Sequence, residues 1–234
     1  MDNDRRRFLY ASTMFGMSAM GVAAVEGRGE EKARDESSEP EAGISAAEDL
    51  MREHGVLNRI LLIYEEGLRR IRVNEEVAPE VFSKTAALVR EFVEDYHEKL
   101  EENFIFPEFE KAGKLADLVK TLREQHQAGR RATNVVMRVS APDQFLKGDA
   151  REQLLIACEG FIRMYRPHEA REDTVLFPAL HSIIPAKRLL ELGEQFEAEE
   201  DKLFGGKGFE KTVEQVAVIE RHLGIYDLAK FTPK

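Results

Sequence analysis

"HEKLEENFIFP" spans residues 97–107 and "HEAREDTVLFP" spans residues 168–178. Each stretch opens on His-Glu, carries a further glutamate four residues after the histidine, and closes on an apolar residue followed by Phe-Pro. On an α-helix, positions i and i+4 share one face about one turn apart, so His97 and Glu101 point the same way, as do His168 and Glu172. Ligand-type side chains on one helical face, written twice in a single chain, predict a helical protein built from two corresponding halves.

The remaining histidines fall into the same order. His54 precedes His97 by 43 residues and His126 precedes His168 by 42, while His181 and His222 lie outside the pattern. Around them the chain reads as helix throughout. Leu50, Leu57, Ile60, Leu61, Tyr64 and Leu68 recur at three and four, predicting a first helix over about 45–72. Pro79 opens a second that runs to about 110 and ends at Ala112-Gly113. A third spans about 114–139, before Ala141-Pro142, and a fourth about 149–182, before Pro185. Strand alternation is absent and the connections are short. The fold class predicted is all-α, an up-down-up-down four-helix bundle over 45–184. A helical extension follows over 185–234, with two shorter helices at about 186–203 and 209–223.

Composition narrows the function. With 234 residues and 43% hydrophobic content the chain can bury one good-sized core and a site within it. Its formal net charge of −10 opposes phosphate-backbone binding, so no nucleic-acid partner is expected. Cys158 is the single cysteine, which excludes an intramolecular disulfide and a thiolate metal cage. In the apolar stretch "LLIACEGFI" it reads as a buried structural thiol.

The N-terminus reads as a targeting segment. Residues 1–25 place Arg5-Arg6-Arg7 before Phe8-Leu9 and then an uncharged stretch ending in small residues, too short for a comfortable membrane span. The segment resembles a twin-arginine signal, with Tyr10 departing from the usual lysine, and implies export to the periplasm. Residues 26–44, "EGRGEEKARDESSEPEAGI", are charged and poor in large apolar side chains, as expected of a disordered linker. No membrane contact beyond the signal is expected.

One histidine on an apolar helix face is most simply a hydrogen-bonded core residue. Four of them converging with two interior carboxylates are costly unless a positive charge pairs with them, and a metal pair does so. Imidazole and carboxylate without thiolate suit iron, manganese or zinc.

These residues resemble the hemerythrin-like (HHE cation-binding) family, over roughly residues 46–182, on the duplicated His-Glu-x-x-Glu motif with its Phe-Pro ending. The resemblance implies a four-helix bundle holding two non-haem iron ions bridged by oxygen, with manganese and zinc ranking behind. It implies His54, His97, Glu101, His126, His168 and Glu172 as metal ligands, with Glu101 and Glu172 as bridges. The function implied is binding or sensing of dioxygen or a related small oxidant; a protein partner is not identified.

The chain departs from the oxygen carriers in two places. Their fifth histidine, one turn from the third-helix ligand, is replaced by Leu122 or Arg130, and helix four carries Glu at i+4 where the carriers use Asp at i+5. A more symmetric, more open centre follows. It leaves open a di-iron enzyme acting on peroxide, ferrous iron or nitric oxide, and a structural metal site. Glu98 and Glu169 are candidates for an extra ligand. Tyr165, one turn before His168, reads as a core tyrosine within reach of the centre, and Phe104, Phe106, Leu176 and Phe177 as core that keeps the centre dry. A ferritin-like Glu-x-x-His occurs once, at Glu94–His97, and is not continued at Tyr165 or Arg123.

Overall fold

A computed structural model describes residues 45–233 of the chain. The signal and linker readings for 1–25 and 26–44 lie outside the described residues.

Six helices follow in order, and among the described residues there is no strand. Helix α1 is Ala46–Arg72, α2 runs over 79–112, α3 is Ala116–Val139, α4 runs over 150–180, α5 is Ala186–Phe204 and α6 is Gly208–Leu223. A 3₁₀ turn, Leu228–Phe231, closes the chain. The bounds match the sequence reading to within a few residues.

Local chemistry sets the ends. Ser45 and Glu48 form a reciprocal capping box at the start of α1, the Ser45 hydroxyl accepting from the Glu48 N–H at 3.3 Å and the Glu48 carboxylate accepting from the Ser45 N–H at 2.9 Å. Pro79 occupies the first turn of α2, where an N–H would have no intrahelical partner. Gly113 ends α2 in the left-handed region at φ 63°, which a residue without Cβ reaches without strain.

The connections 73–78, 113–115 and 140–149 fold each helix back on its predecessor. The packing order is cyclic: α1 on α2, α2 on α3, α3 on α4, and α4 on α1. The C-terminal pair packs on the α1 and α2 side. Phe204 meets Phe92 and Tyr96 edge-on or tilted, Phe196 meets Phe104, and the Arg59 guanidinium makes two hydrogen bonds to Glu220 at 2.9 and 2.5 Å. Leu189, Leu192, Phe196, Val216 and Leu223 are buried with the rest of the core. Among the described residues no helix is long and apolar enough to cross a membrane.

A feature that a 3.6-residue period does not anticipate interrupts α2 and α4. Three stretches are π-helical: Val89–His97 and Glu101–Ile105 in α2, and Glu172–Leu176 in α4. In them the N–H of Glu98, Phe106 and Phe177 bonds the carbonyl five residues back, at Val93, Glu101 and Glu172. Such widened turns inside α-helices concentrate at functional sites.

Candidate metal centre

The two π turns at Glu101 and Glu172 explain the ending of both opening motifs. In a regular α-helix, residues five apart lie about 140° apart around the axis, so a glutamate facing the bundle interior would send the phenylalanine five later elsewhere. The π bond puts both on the inside. Phe106 then stacks on the His126 ring at 5.5 Å between centroids, and Phe177 on His54 at 5.6 Å. The loosened turn also precedes Pro107 and Pro178, whose rings would clash with the carbonyls four back in a tight α-helix.

All six sequence-predicted ligands meet in the bundle interior and all are buried. Ligand atoms of Glu101, His126, His168 and Glu172 lie within 4.8 Å of one another, as do those of His54, His97 and Glu101. The Glu172 Oε2 is 3.1 Å from His168 Nε2 and 3.4 Å from His54 Nε2. Glu101 Oε2 is 3.4 Å from His126 Nε2 and 3.7 Å from His97 Nε2. Each carboxylate therefore reaches one histidine of each half.

Behind each imidazole stands an acceptor that the sequence reading missed. His54 Nδ1 donates to Asp173 at 2.7 Å, His97 Nδ1 to Glu53 at 2.8 Å, His126 Nδ1 to Glu102 at 3.1 Å, and His168 Nδ1 to the Gln125 amide oxygen at 2.8 Å. With Nδ1 committed as donor, Nε2 of each ring faces inward, the outer-shell arrangement that orients metal-ligating histidines. The signal was present in the duplication. Glu53 and Gln125 each immediately precede a ligand histidine, and Glu102 and Asp173 each immediately follow a ligand glutamate. Asp173 stands at the i+5 position from His168, yet it serves His54 from outside.

The donor set fits a metal. Both oxygens of Glu101, both of Glu172, and Nε2 of His54 and His126 are buried without a hydrogen-bond partner. Two ionised carboxylates in such a place cost several kcal/mol each unless a cation compensates them. Their titration shows the same tension. Burial and the Glu172 charge hold the Glu101 carboxyl well above the usual range. Burial pushes Glu172 up too, but the His168 and His54 rings overcome it and hold Glu172 well below. His54 is opposed by burial yet raised to about 10 by Asp173 and Glu172, while burial and neighbouring histidines lower His97 and His126. Divalent cations entering this cluster displace those protons.

The two candidate extra ligands are otherwise engaged. Glu98 accepts from the Tyr165 hydroxyl at 2.5 Å and lies 2.6 Å from the Arg130 guanidinium, and Glu169 accepts from the Asn58 amide. Burial, ahead of its partners, raises each to about 8. Glu98, Glu102 and His126 also converge, but the Arg130 guanidinium, 2.6 and 2.8 Å from the two carboxylates, already fills the cation position there. Tyr165 is buried against His168, with ring centroids 5.3 Å apart. Leu122 is core, and Arg130, far from vacating a ligand position, serves Glu98 and Glu102.

Fold and cluster together define a helical-bundle protein that carries a buried cation site. The family description "Hemerythrin HHE cation binding domain" matches residues 45–180, and the chain belongs to that family. It is also 43% identical over 231 residues to an uncharacterized protein of Mycobacterium bovis and to uncharacterized proteins of two strains of Mycobacterium tuberculosis. The match covers 97% of this chain and 91% of each relative. No solved structure matches.

Proposed function

We propose that the chain is an exported non-haem di-iron protein that binds or senses dioxygen or a related small oxidant. The observation that carries this reading is the convergence of four inward-facing Nε2 atoms on Glu101 and Glu172, whose oxygens have no hydrogen-bond partner inside the fold. Bound iron would supply open coordination positions and electrons for reversible binding of the small molecule. His54, His97, Glu101, His126, His168 and Glu172 would hold the two ions, with each glutamate shared between them. Four histidine nitrogens and two carboxylates would leave the ions with fewer protein bonds than iron prefers.

The protein residues orient and dry the centre. Asp173, Glu53, Glu102 and Gln125 fix the ring planes, while Phe106 and Phe177 cover the His126 and His54 rings. Export through the twin-arginine route is supported by the Arg5-Arg6-Arg7-Phe8-Leu9 sequence, and such a route suits a bundle loaded with metal before it crosses.

A second reading, a di-iron enzyme acting on peroxide, ferrous iron or nitric oxide, draws support from the Tyr165–Glu98–Arg130 chain. That chain links a buried hydroxyl beside His168 to a partly exposed guanidinium. Metal analysis, followed by visible absorption as the anaerobically reduced protein meets oxygen, tests both readings. About two irons per chain with a band that forms and reverses under vacuum supports binding. Rapid oxidation without a lasting spectrum supports turnover. Glu101→Gln or Glu172→Gln that still holds two metals with unchanged spectra refutes the paired site.

A further inference from the structure

The four acceptors behind the histidines form two corresponding pairs that differ in charge. In the half built on His54 and His97 the acceptors are Asp173 and Glu53, both carboxylates. In the half built on His126 and His168 they are Glu102 and Gln125, so one carboxylate is replaced by a neutral amide. Glu53 and Gln125 hold equivalent posts: each precedes the ligand of one helix and accepts from the ligand of the next.

The second half loses further negative character. Glu102 is paired with Arg130 at 2.8 Å and with Lys99 at 2.5 Å, and Arg130 also lies 2.6 Å from Glu98. Asp173, its counterpart, pairs with no lysine or arginine among the described residues. Glu101 and Glu172 reach histidines of both halves, so they do not offset the difference. A carboxylate behind an imidazole raises its basicity as a ligand and a neutral amide does so less, and a guanidinium close by repels an entering cation.

We propose that the two metal positions are unequal by construction: a divalent cation fills the His54/His97 position first and tightly, and the His126/His168 position is the weaker, exchangeable one. The inference rests on the paired-site reading above. The weaker position is the one beside Tyr165, so the exchangeable ion sits next to the hydroxyl–carboxylate–guanidinium chain.

Titration of the metal-free full chain with Co(II), followed by calorimetry and ligand-field absorption, tests it. Two binding steps about tenfold or more apart are expected, in keeping with what single outer-shell partners contribute to metal affinity. Gln125→Glu should tighten the second step by about tenfold and leave the first unchanged; Gln125 is only partly buried, so the added charge is tolerable. Asp173→Asn should weaken the first step by a similar factor and provides an independent measure should the other variant misfold by circular dichroism. Coincident steps in the unaltered protein, or a second step unmoved by Gln125→Glu in a folded variant, overturns the inequality. Uptake of fewer than two Co(II) per unaltered chain instead overturns the paired site on which it rests.

Discussion

Replacing Gly129 with alanine should destabilise the protein, against what helix propensity predicts. Gly129 lies inside α3, where alanine is favoured over glycine by about 1 kcal/mol. A Cβ at this position, however, would lie 2.2 Å from the Tyr165 hydroxyl oxygen and 2.9 Å from two ring carbons. Tyr165 cannot swing away freely: it is buried, packed on Phe161 at 4.3 Å and on His168 at 5.3 Å, and bonded to Glu98.

Overpacking of this kind costs about 1–3 kcal/mol, and breaking the hydroxyl bond to a buried carboxylate about 1.5–3 more. Subtracting the propensity gain leaves a net loss of about 1.5–5 kcal/mol, or roughly 3–20 °C in Tm for a chain of this size. Gly160 in α4 is the matched control, because a Cβ there meets nothing within 4 Å. Gly160→Ala should therefore stabilise by about 1 kcal/mol. Urea denaturation of both variants as metal-free protein decides the matter. Gly129→Ala that stabilises as much as Gly160→Ala would refute the claim that the α3 backbone is cut away to seat Tyr165 over Glu98.

Other outcomes follow from the same geometry. Glu98 and Glu169 have folded pKa values raised by burial to about 8, above their unfolded values, so the folded metal-free protein binds more protons than the unfolded chain between those limits. Its stability should fall as pH rises from about 4.5 to about 8, by up to about 1.4 kcal/mol per pH unit for each group, and Glu169→Gln should flatten that slope in denaturation series. Glu102 acts in the opposite sense. Burial pushes it up, but His126, Lys99 and Arg130 bring it down to about 2, so its contribution is present above pH 4.5 and is lost as pH falls through about 2. Glu220→Ala, which strands the Arg59 guanidinium, should cost about 2 kcal/mol and speed amide exchange across α6 ahead of α1–α4. Uptake of divalent metal should release protons, because His54 must give up its own to present Nε2, and a pH-stat reading of no release would contradict that role.

The helix count and bounds could be read from apolar spacing and from Pro79, Gly113 and Pro185, because those signals act locally. The convergence of the six candidate ligands was legible because the chain repeats them: a face at i and i+4 is fixed by helical geometry, and the repeat says two such faces meet. The outer acceptors were not read, since Glu53, Glu102, Gln125 and Asp173 sit about 100° around their helices from the ligands and look like solvated polar residues until neighbouring helices are placed. The Arg130 role was hidden for the same reason. Its partners Glu98 and Glu102 belong to another helix, and their value depends on burial that a single helix does not reveal. The π turns were missed because hydrophobic periodicity over a few residues does not separate a widened turn from a regular one.

Those widened turns make the middle of α2 and α4 a coupling between two rotational settings. Upstream of Glu101 the helix is clocked so that His97 and the glutamate face inward; downstream it is clocked so that Phe106 covers His126. Closing that widened turn into a regular α-helix with all its residues kept would turn everything beyond it by about 100° relative to Glu101. The aromatic cover and the glutamate are thus held in phase by the widened turn between them in each long helix. Such a closure would strip the centre of its shield while leaving every candidate ligand in the chain.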